Sequence, residues 1–174
     1  MSDIIRILRA PQNRILSVCF VAGFLLALHY ALVLYINSSY IASIVAPGAT
    51  SILYTLGAIA SLLGFLVTPK ILKRMGNARF ALIMATLEII ALGLMGFGAL
   101  PVLIVAGFLL HLGSSMLLPY ALDIFLEGSL KHETHTGGIR GIFMTLNNSA
   151  FVFAPVLAGI IIGANENFSR VYVV

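Results

Sequence analysis

The stretch ILSVCFVAGFLLALHYALVLYI (residues 15–36) decides the fold class, since only Ser17 and His29 interrupt its apolar run. A helix of about 20 apolar residues spans the roughly 30 Å hydrocarbon core of a bilayer. Arg6, Arg9 and Arg14 precede the stretch, as basic residues do in a signal peptide. The apolar core of a signal peptide is only about 7–15 residues long. We therefore interpret the stretch as a retained membrane-spanning helix.

The composition of the whole chain agrees with a membrane protein. Of its 174 residues, 60% are hydrophobic and 9% are charged, and the mean hydropathy is +1.08. Soluble proteins average about 45–50% apolar and about 25% charged residues. The composition excludes a water-soluble enzyme and a disordered chain, and the continuous apolar runs argue against a membrane β-barrel. With Cys19 as the single cysteine, no disulfide framework is possible.

Five apolar stretches predict an all-α, multi-pass bundle that forms one transmembrane domain over residues 1–174. The predicted spans are 15–37, 49–69, 80–100, 102–126 and 141–163. If the N-terminus is cytoplasmic, only Arg170 among the ten Lys and Arg residues lies outside. The basic residues inside are Arg6, Arg9, Arg14, Lys70, Lys73, Arg74, Arg79, Lys131 and Arg140. This positive-inside bias predicts that orientation in a cell (inner or plasma) membrane, and such dispersed charge is not typical of nucleic-acid binding.

A short internal repeat suggests two related halves. VAGFLL occurs at residues 21–26 and again at 105–110, an offset of 84, and His29 and His111 follow the two copies. The first and fourth spans run in opposite directions, so the pattern predicts an inverted repeat of three helices, as in many transporters. Chance recurrence of common apolar residues is the alternative. The same offset places a sixth helix near 164–184, and we expect the chain to end within it.

Three ionisable residues, His29, Glu88 and His111, lie near the middle of predicted spans. Ionisable groups are costly in hydrocarbon and are functional candidates by default. A histidine can exchange a proton near neutral pH, and Glu88 could be a proton site as well. The structural alternatives are a neutral histidine bonded to a backbone carbonyl and a glutamate paired within the bundle.

Ser114 and Ser115 follow His111 in the fourth span and are further pathway candidates. Pro119 cannot donate a hydrogen bond to the Ser115 carbonyl, so we expect a kink there. Kinked helices often line transporter cavities, although serine and proline are also tolerated in membrane helices for packing alone.

Acidic residues end the fourth span, where they oppose the helix dipole. Asp123 and Glu127 therefore need basic partners. Candidates in the neighbouring loops are Lys70, Lys73, Arg74, Lys131 and Arg140. The set forms either a gating network or solvated loop charges.

The fifth span carries a narrow face of small and polar residues. At 3.6 residues per turn, this face comprises Gly141, Thr145, Asn148, Ser149, Gly159 and Gly163. Such a face predicts close packing against another helix. Asn147 points the other way and is a candidate for contact with a solute.

The sequence contains few motifs of metal binding or catalysis. His132 and His135 form an H-x-x-H pair, which is weak evidence for zinc, and no nucleotide or nucleophile motif occurs. We expect no enzyme activity, no metal and no cofactor.

Three segments follow the degenerate patterns of one transporter family. In the loop 70–79, Arg74 and Gly76 match the pattern D-R-x-G-R-[KR]. Lys73 stands in place of the Asp of the pattern and Asn77 in place of its second Arg, and Arg79 comes just after the pattern ends. In the fifth span, the pattern G-x8-G-x3-G-P-x2-G-G reads Gly141, Ala150, Ala154-Pro155 and Ala158-Gly159. His111-Leu112-Gly113 stands where many members have Arg before Gly. The chain thus resembles the N-terminal half of a major facilitator superfamily (MFS) transporter.

The resemblance implies alternating access by rocking of two six-helix halves. It also implies that the first and fourth helices line the cavity while the third is peripheral, which favours His29 and His111 over Glu88. We expect a fragment of a secondary transporter for a small solute or ion, inactive without the missing C-terminal half or another copy. Its partner is the lipid bilayer, and nucleic acid is not expected. Alternatives are a non-transporting subunit or assembly factor and, less favoured, a membrane enzyme.

Overall fold

The computed structural model describes residues 14–130, 133–164 and 167–174, and within them the chain forms six α-helices and a short 3₁₀ segment. The helices are α1 (Arg14–Ala42), α2 (Ala49–Met75), α3 (Asn77–Phe97), α4 (Pro101–Ser114), α5 (Leu117–Gly128) and α6 (Glu133–Ile162); the 3₁₀ segment is Phe168–Val173. With α4 and α5 counted as one span, five helical segments are long and apolar enough to cross a membrane. The chain is therefore an all-helical, multi-pass membrane protein, as the sequence predicts.

Several helices are longer than the hydropathy predicts. The predicted basic loop 70–79 is instead the last turn of α2 and the first turn of α3, separated only by Gly76 at φ 78°. Lys73 and Arg74 suit the helix C-terminus because they complement its dipole, and Gly76 tolerates the positive φ at which the chain leaves α2. α1 likewise continues to Ala42, through residues predicted as a loop, and α6 begins at Glu133 rather than at 141.

The fourth span is interrupted within the segment 114–119, where the kink is predicted. The break lies at Ser115 and Met116, between α4 and α5, while Pro119 occupies the first turn of α5. A proline is tolerated in a first turn because amides there have no intrahelical partner. Pro119 therefore favours a new helix start at residue 117 over a bend at residue 119.

Two parallel pairs of helices organise the bundle. α1 runs alongside α6, with the Phe20 and Phe143 rings 5.4 Å apart near one end and the Tyr35 hydroxyl donating to the Phe151 carbonyl further along. α2 runs alongside α4, where Ser61 donates to the Leu112 carbonyl. α3 packs antiparallel to α4 and α5, since Asn77 donates to the Ala121 carbonyl near its start and Met95 packs with Ile104 near its end. The end where α2 meets α3 is called the basic end below.

The small face of the fifth span is not packed within the described chain. Gly141, Thr145, Asn148 and Gly159 are exposed, and a Cβ at either of these glycines would meet no atom within 4 Å. The buried side of α6 instead presents the alanines Ala150, Ala154 and Ala158. Within the described chain, α6 is therefore buried along its alanine face, whose residues recur every fourth position. Packing of the small face against another helix stays a prediction.

Residues assigned by the repeat to the start of a sixth helix form the 3₁₀ segment. Its Tyr172 is buried and donates a hydrogen bond to Asn37 Oδ1 at 2.7 Å. The Tyr172 ring also lies 5.0 Å from that of Tyr40, whose hydroxyl donates to the Met95 carbonyl at 2.6 Å. These contacts tie α1, α3 and the 3₁₀ segment together at the end opposite the basic end. Because Tyr172 supplies a hydrogen-bond partner, the polar side chain of Asn37 can be buried within α1, where the sequence predicts a loop.

Candidate functional site

Glu88, half-way along α3, lies inside the bundle against α4. The two helices approach closely at Gly107, where an added Cβ would lie 2.7 Å from the Ala91 carbonyl oxygen. His111 Nδ1 is 2.6 Å from Glu88 Oε1, and Ser114 Oγ is 2.6 Å from Glu88 Oε2. Residues 111 and 114 share a helix face because they are three positions apart. We call these three residues the Glu88 cluster.

The Glu88 cluster is almost completely enclosed by protein. The exposed fractions are 6% for Glu88, 1% for His111 and 3% for Ser114. An ionisable group in hydrocarbon is tolerated when it is paired and hydrogen-bonded, and here both carboxyl oxygens have a partner. Ser114 Oγ also lies 2.9 Å from the Leu110 carbonyl oxygen. Its single hydrogen therefore has two acceptors to choose from.

α1 adds two residues to the surroundings of the cluster. His29 interacts electrostatically with both Glu88 and His111, and the Tyr30 ring centroid is 6.4 Å from that of His111. The Nε2 atoms of His29 and His111 are both buried without a hydrogen-bond partner among the described residues. A neutral imidazole nitrogen without hydrogen is an acceptor, so these atoms are available to a proton or a donor.

The structure thus brings three predicted candidates together, His29, Glu88 and His111, from three different helices. The resemblance favours the two histidines over Glu88 because it implies a peripheral third helix. In the structure Glu88 nevertheless lies against α4 and contacts His111 directly. Ser115, another candidate, is buried, and its Oγ has no partner within the part of the chain that is described.

A cavity of about 190 Å³ lies beside the cluster, between α1, α5 and α6. Its lining is mostly apolar and consists of Gly23, Leu26, Ala27, Tyr30, Pro119, Leu122, Phe143, Asn147 and Phe151. Asn147 faces the cavity, as its position opposite the small face of α6 predicts. Its Oδ1 is buried and has no protein partner in the described ranges. The cavity can therefore accept one hydrogen bond from a guest.

Tyr30 links the cavity to the Glu88 cluster. It lines the cavity, its ring lies 6.3 Å from that of Phe151 on the far side, and its other neighbour is His111. The sequence analysis did not select Tyr30. Its position next to His29, at the same depth of the first span, is the signal that could have found it.

Charged residues predicted to gate the basic end are only partly brought together. Arg140 donates to Asp123 Oδ2 at 2.7 Å across α5 and α6, with side chains 38% and 35% exposed. Such exposed pairs contribute about 0–1 kcal/mol. Lys73, Arg74, Arg79 and Glu127 make no ion pair with another described residue. Gly76 separates α2 from α3, and Asn77, which follows it, donates a hydrogen bond to the Ala121 carbonyl of α5.

Remaining predicted residues lie on the outer surface or outside the described residues. Pro155 is inside α6 on its exposed side, as are Gly141 and Gly159. Arg6, Arg9, Lys131 and His132 lie outside the described residues, and so does the side chain of His135, so the H-x-x-H pair is not described. Among the residues that the structure describes, no group of three or more His, Cys, Asp or Glu residues could hold a metal ion.

Comparisons with known proteins give no relative for this chain. No family model matches it, and no curated protein and no solved structure matches it either. The class that the fold defines is an all-helical, multi-pass membrane protein. Within that class, the distinguishing feature is a buried ionisable cluster beside a small cavity.

Proposed function

We propose that the chain belongs to a secondary active transporter that moves a small solute across a cell membrane by alternating access. The observation that carries this proposal is the Glu88 cluster, at mid-depth in the bundle and joined to the 190 Å³ cavity through Tyr30. Charged side chains at the centre of a membrane helix cost several kcal/mol, about 2.5–3.5 on insertion scales, and mark ion and solute pathways.

The packing of the bundle supports the inverted repeat of the proposed family. In an inverted repeat, a two-fold axis relates the first span (α1) to the fourth (α4 and α5) and the second span (α2) to the fifth (α6). Such an axis would superimpose the α1–α6 pair on the α4–α2 pair. Both pairs run parallel, as two successive contacts along each pair show. These are Phe20–Phe143 and Tyr35–Phe151 for the first pair, and Tyr54–Phe108 and Phe65–Tyr120 for the second. An MFS-like half, with its N-terminus in the cytoplasm as the positive-inside bias predicts, is consistent with this arrangement.

The cavity favours a solute of limited size with one hydrogen-bond donor. Drug-sized ligands occupy about 300–1,000 Å³, whereas this cavity holds about 190 Å³. Tyr30, Phe143 and Phe151 offer ring surfaces to an apolar body, and Asn147 Oδ1 accepts one hydrogen bond. Small amines and alcohols with an apolar portion fit this description better than sugars or carboxylates.

A ligand screen with matched tryptophan variants tests the proposal. The purified chain in lipid nanodiscs is heated with small amines, alcohols, sugars and carboxylates, and the melting temperature is recorded. Leu26→Trp fills the cavity, whereas Leu25→Trp lies one residue away on the outer surface, where Leu25 is 58% exposed. We expect an amine or alcohol to stabilise the wild type and Leu25→Trp but not Leu26→Trp. A ligand effect that is equal in both variants, or absent from all, would contradict a solute site here.

One observation favours the alternative of a non-transporting subunit or assembly factor. The small face of α6 is exposed although Asn148 is polar, and small and polar residues in lipid promote helix association. Under this alternative, Gly159→Leu and Asn148→Leu abolish co-purification with a partner chain, while Leu26→Trp has no phenotype. The opposite pattern supports transport.

A further inference from the structure

We propose that the Glu88 cluster is a binding site for a single proton, which resides on Glu88 and is accommodated by a switch in the hydrogen bond of Ser114. The inference deepens the proposed function, because such a site would supply the coupling ion, but its test needs no solute. It rests on the distances within the cluster, on its enclosure and on the absence, among the described residues, of a lysine or arginine paired with the carboxyl group.

In the unloaded state the cluster carries one negative charge. The Nδ1–H of a neutral His111 donates to Glu88 Oε1 at 2.6 Å, and Ser114 donates to Oε2 at 2.6 Å. Two charge-assisted hydrogen bonds satisfy a carboxylate that has no lysine or arginine beside it in the described chain. A net charge of −1 enclosed in hydrocarbon is the feature that attracts a cation.

In the loaded state one proton neutralises the cluster. The proton comes from a hydronium ion, which leaves as water, and it binds to Glu88 Oε2. The new O–H donates to Ser114 Oγ, and the hydrogen of Ser114 turns to the Leu110 carbonyl oxygen at 2.9 Å. Every donor and acceptor of the carboxyl group remains paired, and no heavy atom moves. In a low-dielectric interior, a neutral acid with a neutral histidine avoids the desolvation cost of an ion pair.

Thr86 shows what the second acceptor adds. It lies on the same helix as Glu88, and its hydroxyl donates to the Leu82 carbonyl at 2.9 Å, the same four-residue back-bond that Ser114 makes. Thr86 is exposed and has no carboxyl group beside it. The two hydroxyls differ in that Ser114 can exchange its backbone acceptor for Glu88, so Thr86 is the matched control.

The titratable groups around the cluster come from every helix packed on it. α1 contributes His29 and Tyr30, which both interact electrostatically with Glu88. α2 contributes Tyr54, which interacts with Tyr30. The acid of α5, Asp123, is paired with Arg140 of α6, and Tyr172 of the 3₁₀ segment is paired with Asn37. Of the titratable groups around the carboxyl group, only His111 is hydrogen-bonded to Glu88 within the described residues.

Infrared titration of the full chain in lipid nanodiscs tests the proposal. Spectra between acidic and alkaline pH are recorded in choline chloride and again in sodium chloride. We expect a protonated-carboxyl band that titrates as one proton, is retained in Glu127→Gln and is lost in Glu88→Gln. The band should titrate identically in both salts, whereas a sodium-dependent midpoint would assign the site to a metal cation and overturn the proposal.

Ser114→Ala keeps the inference testable if Glu88→Gln fails to fold. Removal of the hydroxyl takes a charge-assisted hydrogen bond from the ionised form of Glu88 and a weaker, neutral hydrogen bond from its protonated form. The ionised form is therefore destabilised more. The titration midpoint should therefore rise by about one pH unit, since one unit corresponds to about 1.4 kcal/mol. Thr86→Val should leave the midpoint in place. A Ser114→Ala midpoint equal to that of the wild type, or a band that survives Glu88→Gln, would overturn the proposal even if the cavity binds a ligand.

Discussion

Two close helix contacts in the bundle both depend on a glycine, but they surround polar groups in different ways. At the α3–α4 contact, Gly107 lets backbone meet backbone, and the polar atoms of Glu88 beside it are fully paired. At the α1–α6 contact, Gly23 faces the ring of Phe143, and the polar atom of Asn147 beside it is left without a partner next to a cavity. The first contact is closed around an ionisable carboxyl group, and the second leaves room for a ligand. The difference separates a site for a small ion from a site for a solute within one bundle.

The largest expected effect comes from breaking the closed contact at its charge. His111→Leu leaves Glu88 Oε1 without its histidine donor, and the loss of a buried hydrogen bond to a charged group costs about 3 kcal/mol. Replacing both residues, as in Glu88→Leu with His111→Leu, should restore the unfolding free energy to within about 1 kcal/mol of the wild type, because both hydrogen-bonding partners are then replaced by apolar groups. Reversible unfolding in nanodiscs measures both. A double variant as unstable as the single one would mean that the cluster serves stability rather than function.

A smaller effect distinguishes the two glycines. Gly107→Ala places a Cβ against the Ala91 carbonyl, which cannot move without its helix, so it should lower the unfolding free energy by about 2 kcal/mol. Gly23→Ala meets the Phe143 ring, which borders the cavity and can shift, and alanine gains about 1 kcal/mol of helix propensity. Its net effect should lie near zero. Equal destabilisation by the two substitutions would show that both contacts are closed.

The smallest expected effect concerns the 3₁₀ segment. Tyr172→Phe removes the hydrogen bond to Asn37, which should cost about 1 kcal/mol at neutral pH. Burial raises the pKa of Tyr172 well above the usual value for tyrosine, which is about 10. Its phenol therefore ionises in the unfolded chain before it does in the folded one.

The wild type should accordingly lose stability more steeply than Tyr172→Phe as the pH rises above about 10. Melting curves from neutral to alkaline pH follow this difference. Tyr35→Phe serves as the control, because Tyr35 is half exposed and its bond to Phe151 is long, at 3.4 Å. Parallel pH curves for the wild type and Tyr172→Phe would contradict the burial of that phenol.

The five spans were predictable because hydropathy over twenty residues is a local property. The orientation of Glu88 was not, since the third span is apolar on all sides and shows no face to which a charged residue can be assigned. Only the close approach at Gly107 decides it. The role of Asn37 depends on Tyr172, 135 positions away, and no local pattern reports such a contact. The packing face of α6 within the chain could not be chosen from the sequence either, because a small-residue face shows that a helix can pack closely, while burial shows which of two such faces packs within the chain.

The central claim is that the cavity and the Glu88 cluster act as one unit, and proton exchange on ligand binding tests it most directly. A ligand from the thermal screen is titrated into the chain by calorimetry near the infrared midpoint, in two buffers of different ionisation enthalpy. The account predicts that the measured heat differs between the buffers for the wild type, because binding changes the proton occupancy of Glu88. In Glu88→Gln, binding should persist with the same heat in both buffers. Equal heats for the wild type, with binding intact, would contradict the claim.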